Sequence, residues 1–274
     1  MTAAYIPLSS NEAGTITANK TMSGSGVAAL KDSRRDVVTA SASGTSPLFL
    51  NMDLGSAKTV QGIALLNLYS TVPLTVEVFS DTVSNYATAV SRFAATAVPT
   101  TYPDSENVYI RPTQVSARYW RVAITWSGSA SIRLGELVLT SNERTLSRGF
   151  LYGNGEAMTA PVTEFESRAG VVVREALGGP RRTKRFTFED LTRPQRLELQ
   201  AMLLASAMGT RPLLWVDLLG TAGSATQFTD TDTQPSRCIA GLLEPALDWT
   251  EIDYRLFNVN EFQLVELAPD ARLP

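Results

Sequence analysis

The stretch Leu48-Phe49-Leu50-Asn51-Met52-Asp53-Leu54 alternates with a period of two residues. Successive side chains of a β-strand point to opposite faces, so the even-numbered residues share one apolar face. Phe49, Asn51 and Asp53 share the other face. This alternation predicts a strand that is buried on one side.

The same pattern predicts further strands after this one. They cover residues 60–68, 73–79, 107–110, 119–125 and 132–139. In the strand over 119–125, Tyr119, Arg121 and Ala123 lie opposite Trp120, Val122 and Ile124. Many short strands separated by turn signals, with no convincing helix between them, predict an antiparallel sandwich or barrel.

Four segments resemble, in chain order, the discoidin or galactose-binding family, which includes the coagulation-factor C-type domains. They are residues 29–32 with 38–41, 51–55 with 60–63, 117–122, and 125–127 with 132–137. The resemblance spans about residues 15–140. It implies a jelly-roll β-sandwich whose end loops bind sugars, lipid headgroups or protein surfaces. We therefore predict such a domain over residues 1–143.

Three tyrosines are candidate ligand-binding residues of this domain. Tyr69, Tyr86 and Tyr102 lie in segments that we predict to be loops. Aromatic rings suit stacking against sugars, and the alternative is that these are ordinary, partly exposed tyrosines.

Beyond residue 150 the pattern changes to that of a small α+β domain, predicted over residues 150–274. Its predicted strands cover residues 170–174, 184–189, 212–218, 237–243, 249–256 and 258–267. Residues 220–236 are rich in Gly, Ser, Thr, Asp and Gln and predict a long contact loop.

One prominent helix is predicted in this domain. Thr192 suits the N-cap, Pro194 the first turn, and Gln195 completes a capping box. Gly209 is a natural end signal. Between them runs one apolar stripe formed by Leu197, Ala201, Leu204 and Met208.

The order of residues 184–192, the helix and residues 211–217 resembles the minor tail and tail-tip proteins of long-tailed bacteriophages. This resemblance implies a domain that assembles into a ring around the tail tube. From it we predict a structural component of a phage tail tip or baseplate. Its partners would be other tail proteins, copies of itself and a glycan of the host surface. It would be assembled in the host cytoplasm and located in the virion tail.

One basic run is a candidate subunit interface. It comprises Arg181, Arg182, Lys184 and Arg185. Its alternative is a solvated turn and strand edge. Because no aromatic residues interleave with these charges and the formal net charge of the chain is −3, we predict no binding of nucleic acid.

Composition excludes several kinds of catalytic site. The 274 residues include no histidine and one cysteine, Cys238, which rules out Ser-His-Asp and Cys-His arrangements, histidine zinc ligands and an internal disulfide. We predict no enzyme activity, cofactor or metal. No apolar run approaches the roughly 20 residues that span a bilayer, and the first ten residues lack the features of a signal peptide, so we predict no membrane insertion.

Two other functions stay open. One is a carbohydrate-binding module or lectin, which the first half alone favours. The other is a glycoside-hydrolase accessory protein, or a hydrolase that uses a pair of carboxylates. Candidates for such a pair are Asp217, Asp230, Asp232, Asp248, Glu251 and Asp253.

Overall fold

Antiparallel strands dominate the computed structural model. It describes residues 2–23, 26–31, 39–41, 46–98, 106–147, 156–159, 162–166, 172–176, 181–218, 238–243, 249–253 and 256–266. These residues contain one α-helix, α1 (Arg193–Ala205), and two short 3-10 helices, Leu8–Ser10 and Val27–Lys31. The prediction of a mainly β chain with one prominent helix is confirmed. Among these residues no helix is both long and apolar enough to cross a bilayer.

The strands of the first half are β1 (Thr2–Pro7), β2 (Thr15–Ala18), β3 (Met22–Ser23), β4 (Thr39–Ser41), β5 (Leu48–Thr59), β6 (Gly62–Ser70), β7 (Leu74–Asp81), β8 (Val90–Val98), β9 (Glu106–Ile110), β10 (Ser116–Trp126), β11 (Ile132–Leu134), β12 (Glu136–Thr140) and β13 (Arg144–Thr145). The strands of the second half are β14 (Glu156–Thr159), β15 (Val162–Glu166), β16 (Val172–Ala176), β17 (Arg181–Thr192), β18 (Leu213–Leu218), β19 (Cys238–Leu243), β20 (Trp249–Asp253) and β21 (Leu256–Glu266).

Two sheets of the first half form a β-sandwich. The outer sheet has the strand order β2-β5-β10-β7-β8, and the middle sheet has the order β12-β6-β11-β4-β3, with β9 also paired to β6. The two faces that were predicted for β5 are confirmed, since Leu48, Leu50 and Met52 are fully buried in the core between these sheets. Trp120 of β10 fills the same core.

Strand β6 is buried on both faces. Every residue from Gly62 to Leu68 is buried. Leu65 belongs to the core of the sandwich, whereas its neighbour Leu66 packs into a second apolar cluster. A strand covered on both sides reads as a nearly continuous apolar run, which is what Gly62–Ser70 shows.

The second cluster joins the middle sheet to an eight-stranded C-terminal sheet. The main strand order of that sheet is β13-β1-β18-β19-β21-β17-β14, with β20 paired to β21. Its strands contribute Ile6, Leu214 and Ala240 to the cluster, opposite Leu66. Among the described residues, the packing order is therefore outer sheet, middle sheet, C-terminal sheet and α1.

The first strand of the chain belongs to the C-terminal sheet. Antiparallel pairing joins β1 to β18 from Thr2↔Leu218 to Pro7↔Leu213. The predicted range of residues 1–143 for the sandwich thus includes a strand that is hydrogen-bonded in the other sheet. The pattern of residues 2–7 gave no sign of this partner, which lies about two hundred residues along the chain.

Helix α1 begins as predicted but packs through a different face. The backbone N–H of Thr192 donates to Oε1 of Gln195 at 2.9 Å, as in a capping box. The buried residues are Leu199, Met202 and Leu203. The apolar stripe of the sequence points outward: Leu197 is 55% exposed and Leu204 is 70% exposed. The helix ends at Ala205, four residues before the glycine that predicted its end.

The double burial of β6 predicts that two adjacent leucines are equally important for stability. Leu65→Ala and Leu66→Ala each remove a fully buried side chain from a different apolar cluster, and each should lower the free energy of unfolding by about 2–5 kcal/mol. Urea unfolding followed by circular dichroism measures this. Leu197→Ala is the matched control, with an expected change within about 0.5 kcal/mol. A wild-type stability for Leu66→Ala alone would show that the second face of the middle sheet is not covered.

Candidate functional site

The outward face of the outer sheet carries rows of polar and aromatic side chains. Register places Thr17 opposite Asn51, Asn51 opposite Arg121, and Arg121 opposite Phe79. The next row contains Thr15, Asp53, Tyr119 and Asp81. Cross-strand neighbours on one face have Cβ atoms roughly 5 Å apart, so these side chains contact one another.

The segment between β7 and β8 is tied down by Asp81. Oδ1 of Asp81 accepts hydrogen bonds from the N–H groups of Thr82 and Val83 at 2.6 and 3.1 Å. Its two oxygens also accept from Thr88, from the hydroxyl at 2.7 Å and the backbone N–H at 3.0 Å. Burial would raise the pKa of this carboxyl, but these hydrogen bonds outweigh it and lower the pKa. The carboxylate therefore fixes the loop against the sheet.

This loop positions Tyr86 against the sheet. It adopts a left-handed backbone conformation, with φ of 57°, and the residue is 9% exposed. Its hydroxyl donates to the carbonyl oxygen of Trp120 at 2.6 Å. Burial raises the pKa of Tyr86 to about 12. The ring stands edge-on to Tyr119, with centroids 6.5 Å apart.

A cleft lies beside Tyr86 on this face. Its volume is about 260 Å³, and its lining residues are Thr15, Thr17, Asn51, Met52, Asp53, Ser84, Tyr86 and Tyr119. The hydroxyl, amide and carboxylate groups of this set supply both donors and acceptors, and the two tyrosines supply aromatic surface. Such a combination suits a small polar ligand that has an apolar face.

An ion pair and a stacked cation border the cleft. Arg118 Nε lies 2.7 Å from Asp53 Oδ1, and Arg118 Nη2 lies 2.9 Å from Asp53 Oδ2. The guanidinium of Arg118 and the backbone N–H of Gly55 lower the pKa of Asp53. The second cation, Arg121, donates from Nε to Oδ1 of Asn51 at 2.6 Å.

The structure describes two of the three predicted ligand tyrosines, and it places them apart. Tyr69 lies in strand β6, so its predicted loop position is wrong. The central guanidinium carbon of Arg133 lies 5.4 Å from the centroid of its ring. Tyr86 does lie in a loop, but it is buried and lines the cleft. Tyr102 lies outside the described residues. A ligand-binding role for each of them stays a prediction.

Two residues of the basic run face inward. Arg182 forms a buried bidentate ion pair with Glu266. Its Nε donates to Oε2 of Glu266 at 3.0 Å, and its Nη2 donates to Oε1 at 2.6 Å. Lys184 forms a buried ion pair with Asp217. Arg185 is exposed, and nothing is described of the Arg181 side chain. Alternation along β17 explains this division, and a subunit interface at these residues stays a prediction.

The carboxylates considered for hydrolysis are not gathered into a described site. Asp217 is buried against Lys184 and accepts a hydrogen bond from Nε1 of Trp215 at 2.9 Å. Asp230, Asp232 and Asp248 lie outside the described residues, as do the side chains of Glu251 and Asp253. In the described part of the chain, no group of three or more Asp, Glu, His or Cys residues could hold a metal ion.

The sequence contains a signal for the cleft that the motif analysis did not use. Alternation placed Asn51 and Asp53 on one face of their predicted strand, and Tyr119 and Arg121 on one face of theirs. Their grouping depends on the pairing of β5 with β10, two strands that are separated by more than fifty residues. Alternation assigns a face to each residue, but only the register brings the faces together.

Comparison with known proteins gives matches to solved structures alone. No family model matches the chain, and no curated protein matches it. The solved structures that match include several carbohydrate-binding modules. Each match covers about half of this chain.

Three of these structures illustrate the range of sequence identity. Chitosan-binding module 1, from a chitosanase/glucanase of Paenibacillus sp. IK-5, is 27% identical, with a TM-score of 0.36 over 48% of this chain and 98% of the module. A family 32 module of NanJ from C. perfringens, in complex with galactose, is 15% identical, with a TM-score of 0.39 over 52% and 99%. A module from Clostridium perfringens, in complex with GalNAc-β-1,3-galactose, is 9% identical, with a TM-score of 0.39 over 50% and 99%. At these TM-scores the likeness assigns no ligand to this chain.

The buried phenol of Tyr86 predicts a stability difference that depends on pH. Tyr86→Phe removes the hydrogen bond to Trp120 and should lower the free energy of unfolding at pH 7 by about 1 kcal/mol. Because the folded-state pKa is raised, the wild type loses stability as the pH rises from 10 towards about 12, where the unfolded chain releases the proton first. The variant should lose less over that interval. Urea unfolding at pH 7, 10 and 11 measures both effects.

Burial also raises the pKa of Tyr109, so some alkaline loss should persist in the variant. Unchanged stability at pH 7, together with an unchanged alkaline loss, would contradict the buried position of the Tyr86 hydroxyl.

Proposed function

We propose that this protein binds carbohydrate, and that the cleft on the outer sheet holds the sugar. The observation that carries the proposal is the convergence of Asn51, Asp53, Tyr86 and Tyr119 on one cleft from two strands and a loop that are distant in sequence. Strands hold such a constellation more precisely than loops do.

The chemistry of the lining suits a pyranose ring. A sugar presents hydroxyl groups at its rim and C–H bonds on its faces, so it needs donors and acceptors beside an apolar surface. Asn51 and Asp53 supply the acceptors, and the amide of Asn51 also donates. The ring of Tyr119, which is half-buried, supplies the apolar surface.

The size of the cleft suits one sugar unit. Its volume of about 260 Å³ lies just below the roughly 300–1,000 Å³ of sites for drug-sized ligands. At about 0.3 kcal/mol per non-hydrogen atom, a monosaccharide of about 12 such atoms binds with a Kd on the order of 1 mM. The measurement therefore needs millimolar ligand or a multivalent display.

In this proposal the protein is a binding protein without catalytic activity. The ion pair of Asp53 with Arg118 supports this, because a carboxylate that is held ionised by two hydrogen bonds from arginine is a poor general acid. The tail-tip or baseplate role, self-assembly and a virion location stay predictions from the sequence resemblance.

Glycan binding by the full chain tests the proposal. A glycan microarray identifies the preferred sugar, and saturation-transfer NMR with that sugar at millimolar concentration then gives the affinity. Tyr119→Ala and Asn51→Ala should each weaken binding roughly two- to tenfold, because they remove the stacking surface and a hydrogen bond respectively. Urea unfolding of each variant verifies that the fold persists.

Tyr69→Ala is the matched control, since this tyrosine lies on the middle sheet rather than in the cleft. It should leave the affinity unchanged. The proposal fails if no glycan binds. The assignment to this cleft fails if Tyr69→Ala abolishes binding while the two cleft variants bind like the wild type.

A further inference from the structure

Arg121 has an unusual environment on the outward face of the outer sheet. The ring of Tyr86 covers its guanidinium, with the central carbon 3.9 Å from the ring centroid, and the ring of Phe49 lies at 4.5 Å. Its Nε donates to Asn51. The aromatic contacts and this hydrogen bond hold the guanidinium in place, and they leave the Nη groups at its far edge as donors for a ligand.

No carboxylate of the described residues is paired with this cation. The described ion pairs are Lys58–Glu12, Arg111–Glu143, Arg118–Asp53, Arg182–Glu266 and Lys184–Asp217. Arg121 is half-buried, and a cation in that position is stabilised by an anion that binds to it.

Two acidic groups near Arg121 are engaged elsewhere, and a third lies in the next row. Asp53 is bound by both nitrogens of Arg118. Asp81 accepts hydrogen bonds from Thr82, Val83 and Thr88. Glu77 lies on the same face, in the row beyond Arg121, where its strand partner is Ala123.

We propose that the sugar bound in the cleft carries one singly charged acidic group, a carboxylate or a sulfate ester, and that the Nη groups of Arg121 bind it. This inference rests on the proposed function and names its ligand class. The hydrogen bond to Asn51, a lining residue, and the stacking on Tyr86, another lining residue, place Arg121 at the border of the cleft.

A single charge follows from the composition of the site. A guanidinium matches an oxyanion through two parallel hydrogen bonds, and Arg121 is a single cation at the border of the cleft that no described carboxylate engages. A phosphate monoester carries between one and two negative charges at neutral pH, which this one cation would leave partly uncompensated.

Matched pairs of sugars that differ in charge test the ligand class. The probes are galacturonic acid, glucuronic acid and N-acetylneuraminic acid, each against its own methyl ester, and galactose 6-sulfate against galactose. Saturation-transfer NMR of the full-length protein gives the affinities. We expect at least one acidic form to bind roughly tenfold or more tightly than its neutral partner. Preference within the carboxylate pairs or within the sulfate pair identifies the acidic group.

Variants assign the preference to Arg121. Arg121→Gln should abolish the preference, measured as the ratio of the affinities for the acidic and the neutral partner. Arg121→Lys should retain only part of it, because an ammonium group lacks the planar pair of donors. Arg133→Gln is the matched control, since Arg133 also stacks on a tyrosine but lies on the middle sheet. It should retain the full preference.

The outcomes separate this inference from the proposed function. Equal binding of acidic and neutral sugars, with sensitivity to Tyr119→Ala, overturns the acidic ligand and leaves sugar binding intact. A preference that persists in Arg121→Gln also overturns it. No binding of any probe or of any microarray glycan overturns both proposals.

Discussion

Strand β6 needs an apolar partner on each of its faces, and much of the architecture follows from that requirement. Its residues from Gly62 to Leu68 are all buried. One face can be covered by the outer sheet, as in any two-layer sandwich. The other face presents Ala64 and Leu66, which would expose a patch of apolar surface to water if the sandwich stood alone. The C-terminal sheet covers this patch, so the two halves of the chain share an apolar interface as well as a linker.

Strand β1 connects the halves in a second way. It is the first strand of the chain, yet it lies between β13 and β18 in the C-terminal sheet. Its alternate residues serve different layers: Ala3 and Tyr5 face the cluster that includes α1, whereas Ala4 and Ile6 face the middle sheet. The C-terminal sheet therefore cannot be completed from residues 150–274 alone. Any division of the chain into independent domains has to account for this strand.

Sequence periodicity predicted local structure better than it predicted which elements pack together. The faces of β5 and the start of α1 depend on neighbouring residues, so they were predictable. The burial of Leu199 in place of Leu197 was not, because α1 packs on strands that the helix sequence does not specify. The cleft was not predicted, for the same reason. Asn51, Asp53 and Tyr119 each had an assigned face. The prediction relied instead on tyrosines in apparent loops, which were a weaker signal than polar side chains that recur on the outward faces of paired strands.

The layer order also explains where a ligand can bind. The middle sheet is covered on both sides, so of the two sheets of the sandwich the outer sheet is the one whose second face is left for polar groups in the described residues. On that face, backbone pairing fixes Asn51 against Arg121, and the Asp81-anchored loop sets Tyr86 on the guanidinium. The arrangement is held by strands and buried hydrogen bonds before any ligand arrives, which lowers the entropic cost of binding. A site so constrained tolerates little adjustment, so its selectivity should depend on the charge and shape of the ligand rather than on movement of the protein.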